Sequence, residues 1–227
     1  MIMAPSVPRR GPPIGPACHS PGITHTTQSP HHSFGLVGCV VFLVLAVSIL
    51  LLAGCQKQGR AETGSARDLA GQSVNPLADD QAKAVVLLFV STECPIANRY
   101  APETERLAAE FRPQGVRFWR VYPNRDESAE AIRKHTTEYG YSMDALRDTE
   151  HWLVRKTGAR TTPEAAVFTP GARLAYLGRI DDLYVALGVQ RKVATEHNLR
   201  EALVAILAGK RVPRAAVPAV GCSIPDP

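Results

Sequence analysis

Cys94 is the side chain whose setting points most directly to chemistry. It closes the run Ala84-Val85-Val86-Leu87-Leu88-Phe89-Val90-Ser91-Thr92-Glu93-Cys94-Pro95, whose apolar first half reads as a buried strand, and a helix-like stretch comes next. A thiol at such a junction meets unpaired backbone N–H groups at the head of a helix, which favour the thiolate, so Cys94 is a candidate nucleophile. A thiolate attacks a disulfide or a peroxide, and the mixed disulfide or sulfenate that results needs a second thiol to resolve it. The adjacent Glu93 opposes ionisation and Arg99 favours it.

Which second thiol is on offer depends on the N-terminus. The twenty residues from Phe34 to Ala53 carry no charge and lead into Leu52-Ala53-Gly54-Cys55, with Arg9 and Arg10 the only charged side chains upstream. This pattern predicts a secretory signal over 1–54, with an unusually long n-region rich in Pro, His, Ser and Thr. The small-small-Cys ending resembles the lipobox of bacterial lipoproteins, which implies that Cys55 is a lipid anchor rather than a working thiol. A plain transmembrane helix is the other reading of twenty apolar residues. Either way, residues 56 onward are expected in the cell envelope, membrane-anchored and outside the cytoplasm, on the periplasmic side if the cell is Gram-negative.

Cleavage ahead of Cys55 removes Cys18 and Cys39 and leaves Cys94 and Cys222 as the free thiols among five cysteines. Setting Arg9 and Arg10 aside brings the net charge from +5 to +3, too mild to argue for nucleic acid. Cys222 lies in Val217-Pro218-Ala219-Val220-Gly221-Cys222-Ser223-Ile224, beyond the last expected helix and a Pro-rich connector from Arg211 to Pro218. The dozen residues past Gly209 reach roughly 40 Å when extended, enough to return across a small domain. Cys222 is thus read as a resolving thiol, with a static disulfide to Cys94 or an uninvolved tail thiol as the alternatives.

The chain divides into the signal, a tether over 55–81, a folded domain over 82–209 and a C-terminal tail over 210–227. Strands and helices alternate within the domain, which predicts an α/β layered fold. A helix over Ile96 to Phe111 joins the first strand to a second over Val116 to Tyr122, with Pro113-Gln114-Gly115 ending the helix. Ser128 is the expected cap of a helix over Ala129 to Tyr139, and Asp148 of one over Thr149 to Thr157. A hairpin turns at Thr169-Pro170-Gly171, and a last helix, capped by Thr195, carries Leu199, Leu203, Ile206 and Leu207 on one face. His135, His151 and His197 lack a ligand spacing and read as solvated helix positions. Asp181-Asp182 reads as a turn, Trp119 and Trp152 as core, and no metal or cofactor site is expected.

Strand, helix, strand, helix, Thr-Pro, hairpin and terminal helix is the order of the thioredoxin fold. Phe89 to Ala97 resembles its active-site segment with Cys94 at the nucleophilic position, and Gly158-Ala159-Arg160-Thr161-Thr162-Pro163 resembles the segment carrying its cis-proline. The resemblance implies a central mixed sheet flanked by helices, and a Thr162-Pro163 bond that leaves the Thr162 backbone open to pair with an extended substrate peptide. Within the superfamily the chain is most similar to redoxins of the alkyl hydroperoxide reductase/thiol-specific antioxidant group, on Ser91 to Glu103, the Gly178-Arg179-Ile180-Asp181-Asp182 segment and a late Gly-Cys. Ala97 stands at the second motif cysteine, so dithiol chemistry inside the motif is impossible. Ser91 fits the hydroxyl of the peroxiredoxin pattern Pro-x-x-x-Thr/Ser-x-x-Cys, but Leu87 occupies its proline. Asn98 stands at the second cysteine of the Sco-type copper chaperones.

The expectation is therefore a membrane-tethered thiol oxidoreductase in which Cys94 attacks a small peroxide, a disulfide or an oxidised protein thiol, Cys222 resolves, and an external dithiol reductant restores the pair. A binding module stapled by a Cys94–Cys222 disulfide, and a Sco-like copper chaperone, are the competing readings.

Overall fold

A computed structural model describes residues 64–226, so the expected signal peptide and Cys55 lie outside the described residues. The described residues build an eight-stranded mixed sheet in the order β11-β8-β7-β3-β4-β5-β1-β2. Its centre is β3 (Ala84–Phe89), flanked by β4 (Val116–Tyr122) in parallel and β7 (Glu164–Thr169) in antiparallel register. β5 (Asp144–Arg147) continues in parallel beyond β4, and β8 (Arg173–Gly178) makes the hairpin with β7.

Every residue of β3 is buried because both sheet faces are covered, which is why its sequence is continuously apolar rather than alternating. Ala84, Val86 and Leu88 face one core cluster with Leu107, Phe111, Ile132, Leu199 and Leu203 from three helices. Val85, Leu87 and Phe89 face a second with Trp152 and Leu153. The expected central mixed sheet between helical layers is what the chain forms, and both tryptophans join its packing, Trp119 partly buried and Trp152 buried.

Several boundaries differ from the sequence reading. Part of the stretch read as tether is sheet: β1 (Ala66–Asp68) pairs with β5, and β2 (Ser73–Val74) with β1. The helix expected from Ile96 to Phe111 is two helices, α1 (Pro95–Arg99) and α2 (Ala101–Phe111), parted at Tyr100. Pro102 explains the break, since it has no N–H to offer the Asn98 carbonyl and its ring crowds that oxygen. α3 (Ala129–Glu138) starts as expected, with the Ser128 hydroxyl accepting the Ala131 N–H at 3.1 Å.

α4 (Trp152–Thr157) begins three residues later than expected, after His151 in a left-handed conformation at φ 52°. Asp148 still serves that helix by accepting the Val154 N–H at 2.9 Å. Thr195 does not cap the last helix, α5 (Asn198–Leu207). Its N–H and hydroxyl are both given to the Asp182 carboxylate, so the helix starts only after His197. A small hairpin of β9 (Tyr184–Ala186) and β10 (Val189–Gln190) precedes it.

Past α5 the chain does not trail off. β11 (Ala216–Val217) runs parallel to β8, with Leu177 and Arg179 N–H groups donating to Ala215 and Val217 carbonyls at 2.9 and 3.1 Å. Gly178 permits this approach, for a Cβ there would lie 2.1 Å from the Val217 oxygen. Then β12 (Cys222–Ser223) pairs with β6 (Thr161–Thr162).

Candidate active site around Cys94

β3 delivers Cys94 to the head of α1. The Val90 N–H closes onto the Val121 carbonyl at 2.9 Å, the loop turns through Ser91-Thr92-Glu93, and Cys94 becomes the N-cap residue. Its sulfur accepts the Ala97 N–H at 3.4 Å and lies 3.0 Å from the Thr162 carbonyl oxygen, to which the protonated thiol donates. The side chain is 1% exposed. Glu93 and Arg99 both point to solvent, and neither is what sets the thiol.

Thr162 and Pro163 meet Cys94 as the resemblance implied, and the peptide bond between them is cis. Glu164 fixes the approach to this bond: its Oε2 accepts the Arg160 and Thr161 N–H groups at 2.8 and 3.3 Å. The Thr162 backbone is not open, however. Cys222 pairs with Thr162, Ser223 pairs with Thr161, and the Ile224 N–H donates to the Arg160 carbonyl at 2.9 Å.

That strand brings Cys222 beside Cys94, through its pairing with the Thr162 whose carbonyl the Cys94 thiol meets, and both thiols are free. Their proton affinities separate. Burial pushes Cys94 upward, but the thiol of Cys222 and the Ala97 N–H donate to its sulfur and outweigh burial, so it sits below the ordinary thiol range. Cys222 goes the other way, raised to about 11 by burial, by that shared hydrogen bond and by the negative charge on Cys94.

The AhpC/TSA family matches residues 59–177, just over half of the chain and the part that carries Cys94, Thr162 and Pro163. The chain belongs to that family. Among curated proteins this AhpC/TSA chain is 31% identical, over 96 residues, to the thiol-disulfide oxidoreductase ResA of Halalkalibacterium halodurans, covering 42% of this chain and 53% of that one. It therefore spans about half the length of that relative. A conserved protein from Geobacillus kaustophilus shares the fold at TM-score 0.62 with 28% identity, over 72% of this chain and 88% of that one. A hypothetical protein from Sinorhizobium meliloti 1021 does so at TM-score 0.63 with 26% identity, over 71% and 89%. Cys222 lies past the end of the AhpC/TSA match.

Beneath the AhpC/TSA site runs a buried polar chain that the sequence reading did not find. Glu127 is buried, and one of its oxygens accepts the Ser91 hydroxyl at 3.0 Å and the Thr92 N–H, pinning the loop ahead of Cys94. The Asn98 amide donates to the Thr92 carbonyl at 3.0 Å, and its oxygen meets His135 Nε2 at 2.8 Å. His135 Nδ1 meets the Tyr122 hydroxyl at 2.9 Å, which accepts from Arg120 at 2.8 Å. Arginine only donates, so the Tyr122 proton goes to Nδ1 and the imidazole proton sits on Nε2, facing the Asn98 oxygen. Arg120 itself is 1% exposed and is held by the Met143 carbonyl, the Thr136 and Tyr122 hydroxyls and the Tyr141 ring at 4.3 Å.

His135 is thus not a solvated helix residue. Nor is His151, which is buried with its ring bonded to the Pro123 carbonyl at 2.8 Å. His197 alone of the three is exposed. Its ring lies within 4.8 Å of Glu103 and Asp181 oxygens, but Asp181 is already engaged by the Tyr100 hydroxyl and the Leu183 N–H.

Burial, with the Arg120 charge adding to it, lowers His135 to about 4. The unfolded chain takes up this proton near pH 6.5 and the folded one only near 4, so acid favours unfolding between those values. Urea unfolding from pH 7 to 4.5 should show stability falling in wild type, with a shallower slope in His135→Gln. Equal slopes would refute the assignment.

Proposed function

We propose that this protein is a membrane-tethered, extracytoplasmic thiol–disulfide oxidoreductase in which Cys94 attacks and Cys222 resolves. The observation that carries the reading is two free thiols placed together, Cys94 at the head of α1 and Cys222 brought beside it by the pairing of β12 with β6. The ResA relative supports disulfide exchange as the reaction class, and Leu87 at the peroxiredoxin proline position favours it over peroxide reduction. The tether rests on the run from Phe34 to Cys55, and no described helix is long and apolar enough to cross a membrane. The copper reading finds less support, because Asn98 and both ring nitrogens of His135 are spent on hydrogen bonds.

In the proposed cycle the Cys94 thiolate attacks one sulfur of a substrate disulfide. A Cys94–substrate bond forms, the substrate's own S–S bond breaks, and the departing thiolate takes a proton from water. Cys94 is then neutral, which removes two of the three causes that hold the Cys222 proton and leaves only burial. Cys222 loses its proton, attacks the Cys94 sulfur and expels the second substrate thiolate. Two electrons have moved from the cysteine pair to the substrate. An external dithiol reverses the Cys94–Cys222 bond and is oxidised in its place. With a peroxide the first product would be Cys94 sulfenic acid and an alcohol or water, and Cys222 would then displace water.

The test is to reduce the full chain, add one equivalent of a small disulfide such as hydroxyethyl disulfide, and map cysteines by mass spectrometry without reductant. A Cys94–Cys222 bond that a dithiol reopens is the expected result. An unreactive Cys94 would overturn the proposal, as would a bond that dithiols cannot open, which would instead mark a stapled binding domain.

A further inference from the structure

The edge of β6 beside Cys94 is where an extended peptide would have to lie to bring its sulfur to the nucleophile, and the chain's own tail is lying there. Cys222 and Ser223 pair in antiparallel fashion with Thr162 and Thr161, the Thr162 hydroxyl reaches the Cys222 carbonyl at 3.4 Å, and Ile224 bonds back to Arg160. The tail's side chains seat themselves in order. Val220 packs against the core cluster on one sheet face, and Ile224 against the cluster on the other.

Between Val220 and Cys222 stands Gly221, and its place is sterically closed to anything larger. A Cβ there would lie 2.0 Å from the Thr162 carbonyl oxygen and 2.7 Å from the carbonyl carbon, both rigid backbone atoms. The oxygen that would be struck is the one that receives the Cys94 thiol. A side chain ahead of the incoming cysteine would therefore push the strand off the edge or disturb the nucleophile's own contact.

We infer that the β6 edge selects disulfide-bearing polypeptides whose cysteine is extended, preceded by glycine and flanked by apolar residues, and that the tail segment Val220–Ile224 is its resident occupant. This rests on the proposed thiol exchange at Cys94 and adds a substrate class to it. A small disulfide needs no strand pairing and reaches the sulfur by brief fraying of the tail. A polypeptide disulfide must displace the tail along its whole pairing length. In its own cycle the tail returns as the peptide's strand pairing lets go, while the substrate sulfur is still bonded to Cys94, and Cys222 then attacks that bond and expels the substrate thiolate.

The test tracks only the first chemical step, formation of the Cys94 mixed disulfide, read by mass spectrometry. Four proteins are compared: full-length Cys222→Ser, full-length Gly221→Val with Cys222→Ser, a chain ending at Pro218, and that shortened chain with Cys94→Ser as the blank. Probes are hydroxyethyl disulfide and two peptides, Val-Gly-Cys-Ser-Ile and Val-Val-Cys-Ser-Ile, each as its symmetrical disulfide. Ending the chain at Pro218, or placing valine at 221, should speed reaction with the glycine peptide by about tenfold or more, the gain expected when an occupant that leaves an edge free about a tenth of the time is removed. Hydroxyethyl disulfide senses the change in Cys94 acidity that loss of residue 222 brings but does not pair with the β6 edge, so each peptide rate is read relative to the hydroxyethyl disulfide rate of the same chain. The shortened chain should prefer the glycine peptide to the valine peptide by a comparable factor.

Equal peptide rates with and without the tail, or no preference between the two peptides, would overturn the inference. If the shortened chain is poorly folded, the full-length Gly221→Val protein decides the matter. Failure of Cys94 to react even with hydroxyethyl disulfide would instead sink the thiol-exchange reading on which the inference rests, so the two failures are distinguishable.

Discussion

Replacing Cys222 by alanine should end turnover after one encounter and at the same time make Cys94 a weaker acid. The first effect comes from the proposed chemistry: with no second thiol, the Cys94–substrate bond persists until an outside thiol breaks it. The second is expected because the neighbouring Cys222 thiol is among the causes that hold Cys94 below its ordinary range, so its removal leaves burial less opposed. Cys94 alkylation, measured peptide by peptide, should then require higher pH to reach half its maximal rate. Serine at 222 restores a donor without restoring a thiol, so Cys222→Ser should recover part of the acidity and none of the turnover. Steady turnover in the alanine variant would remove Cys222 from the mechanism, and an unmoved alkylation midpoint would show that the two sulfurs do not share a proton.

The largest effect on stability should come from Arg120→Ala. This guanidinium is buried without a carboxylate partner among the described residues, and it satisfies the Met143 carbonyl and two hydroxyls while lying against the Tyr141 ring. Truncation leaves those acceptors facing a void, and each buried unsatisfied group costs roughly 1–3 kcal/mol before any cavity is counted. A loss of about 3–5 kcal/mol is expected in urea unfolding, a large share of the stability of a domain this size. Arg120→Met, which fills the space and removes the cost of burying a charge, should be milder. A change below about 1 kcal/mol for alanine would mean the pocket refills or admits water.

The residues of the site announced themselves unequally. Cys94 and the Thr162-Pro163 pair were legible because each stands at a junction between elements, where strand pattern gives way to turn or helix. The central strand was legible for a related reason: seven apolar residues between Lys83 and Ser91 have one economical use in an α/β domain. Asn98, Arg120, Glu127 and His135 were not. Each is a polar residue on an otherwise ordinary element, and only the folded arrangement joins Thr92 to Asn98, Asn98 to His135 and His135 to Tyr122. Nothing in the spacing of His135 distinguishes it from an exposed helix residue; alternation along β4 would have been the one hint, since Arg120 interrupts a run that is otherwise buried toward its end. The short strands failed for the opposite reason. Two or three residues, as in β1, β2, β11 and β12, carry no period to read, and their pairing is decided by partners far along the chain.

The strand β11 has a bearing on how this protein should be handled. The sheet ends on β11 at one side and β2 at the other, both only two residues long. Such short margins offer little backbone for a neighbouring molecule to zip onto. Beside β11 lies β8, and the outer N–H and C=O groups from Leu177 to Arg179 would be bared if the tail were cut ahead of Ala215. A chain shortened there should self-associate through that naked margin, and the resulting precipitate would be mistaken for a redox phenotype. Cutting after Pro218 keeps the cover and removes only the thiol-bearing strand.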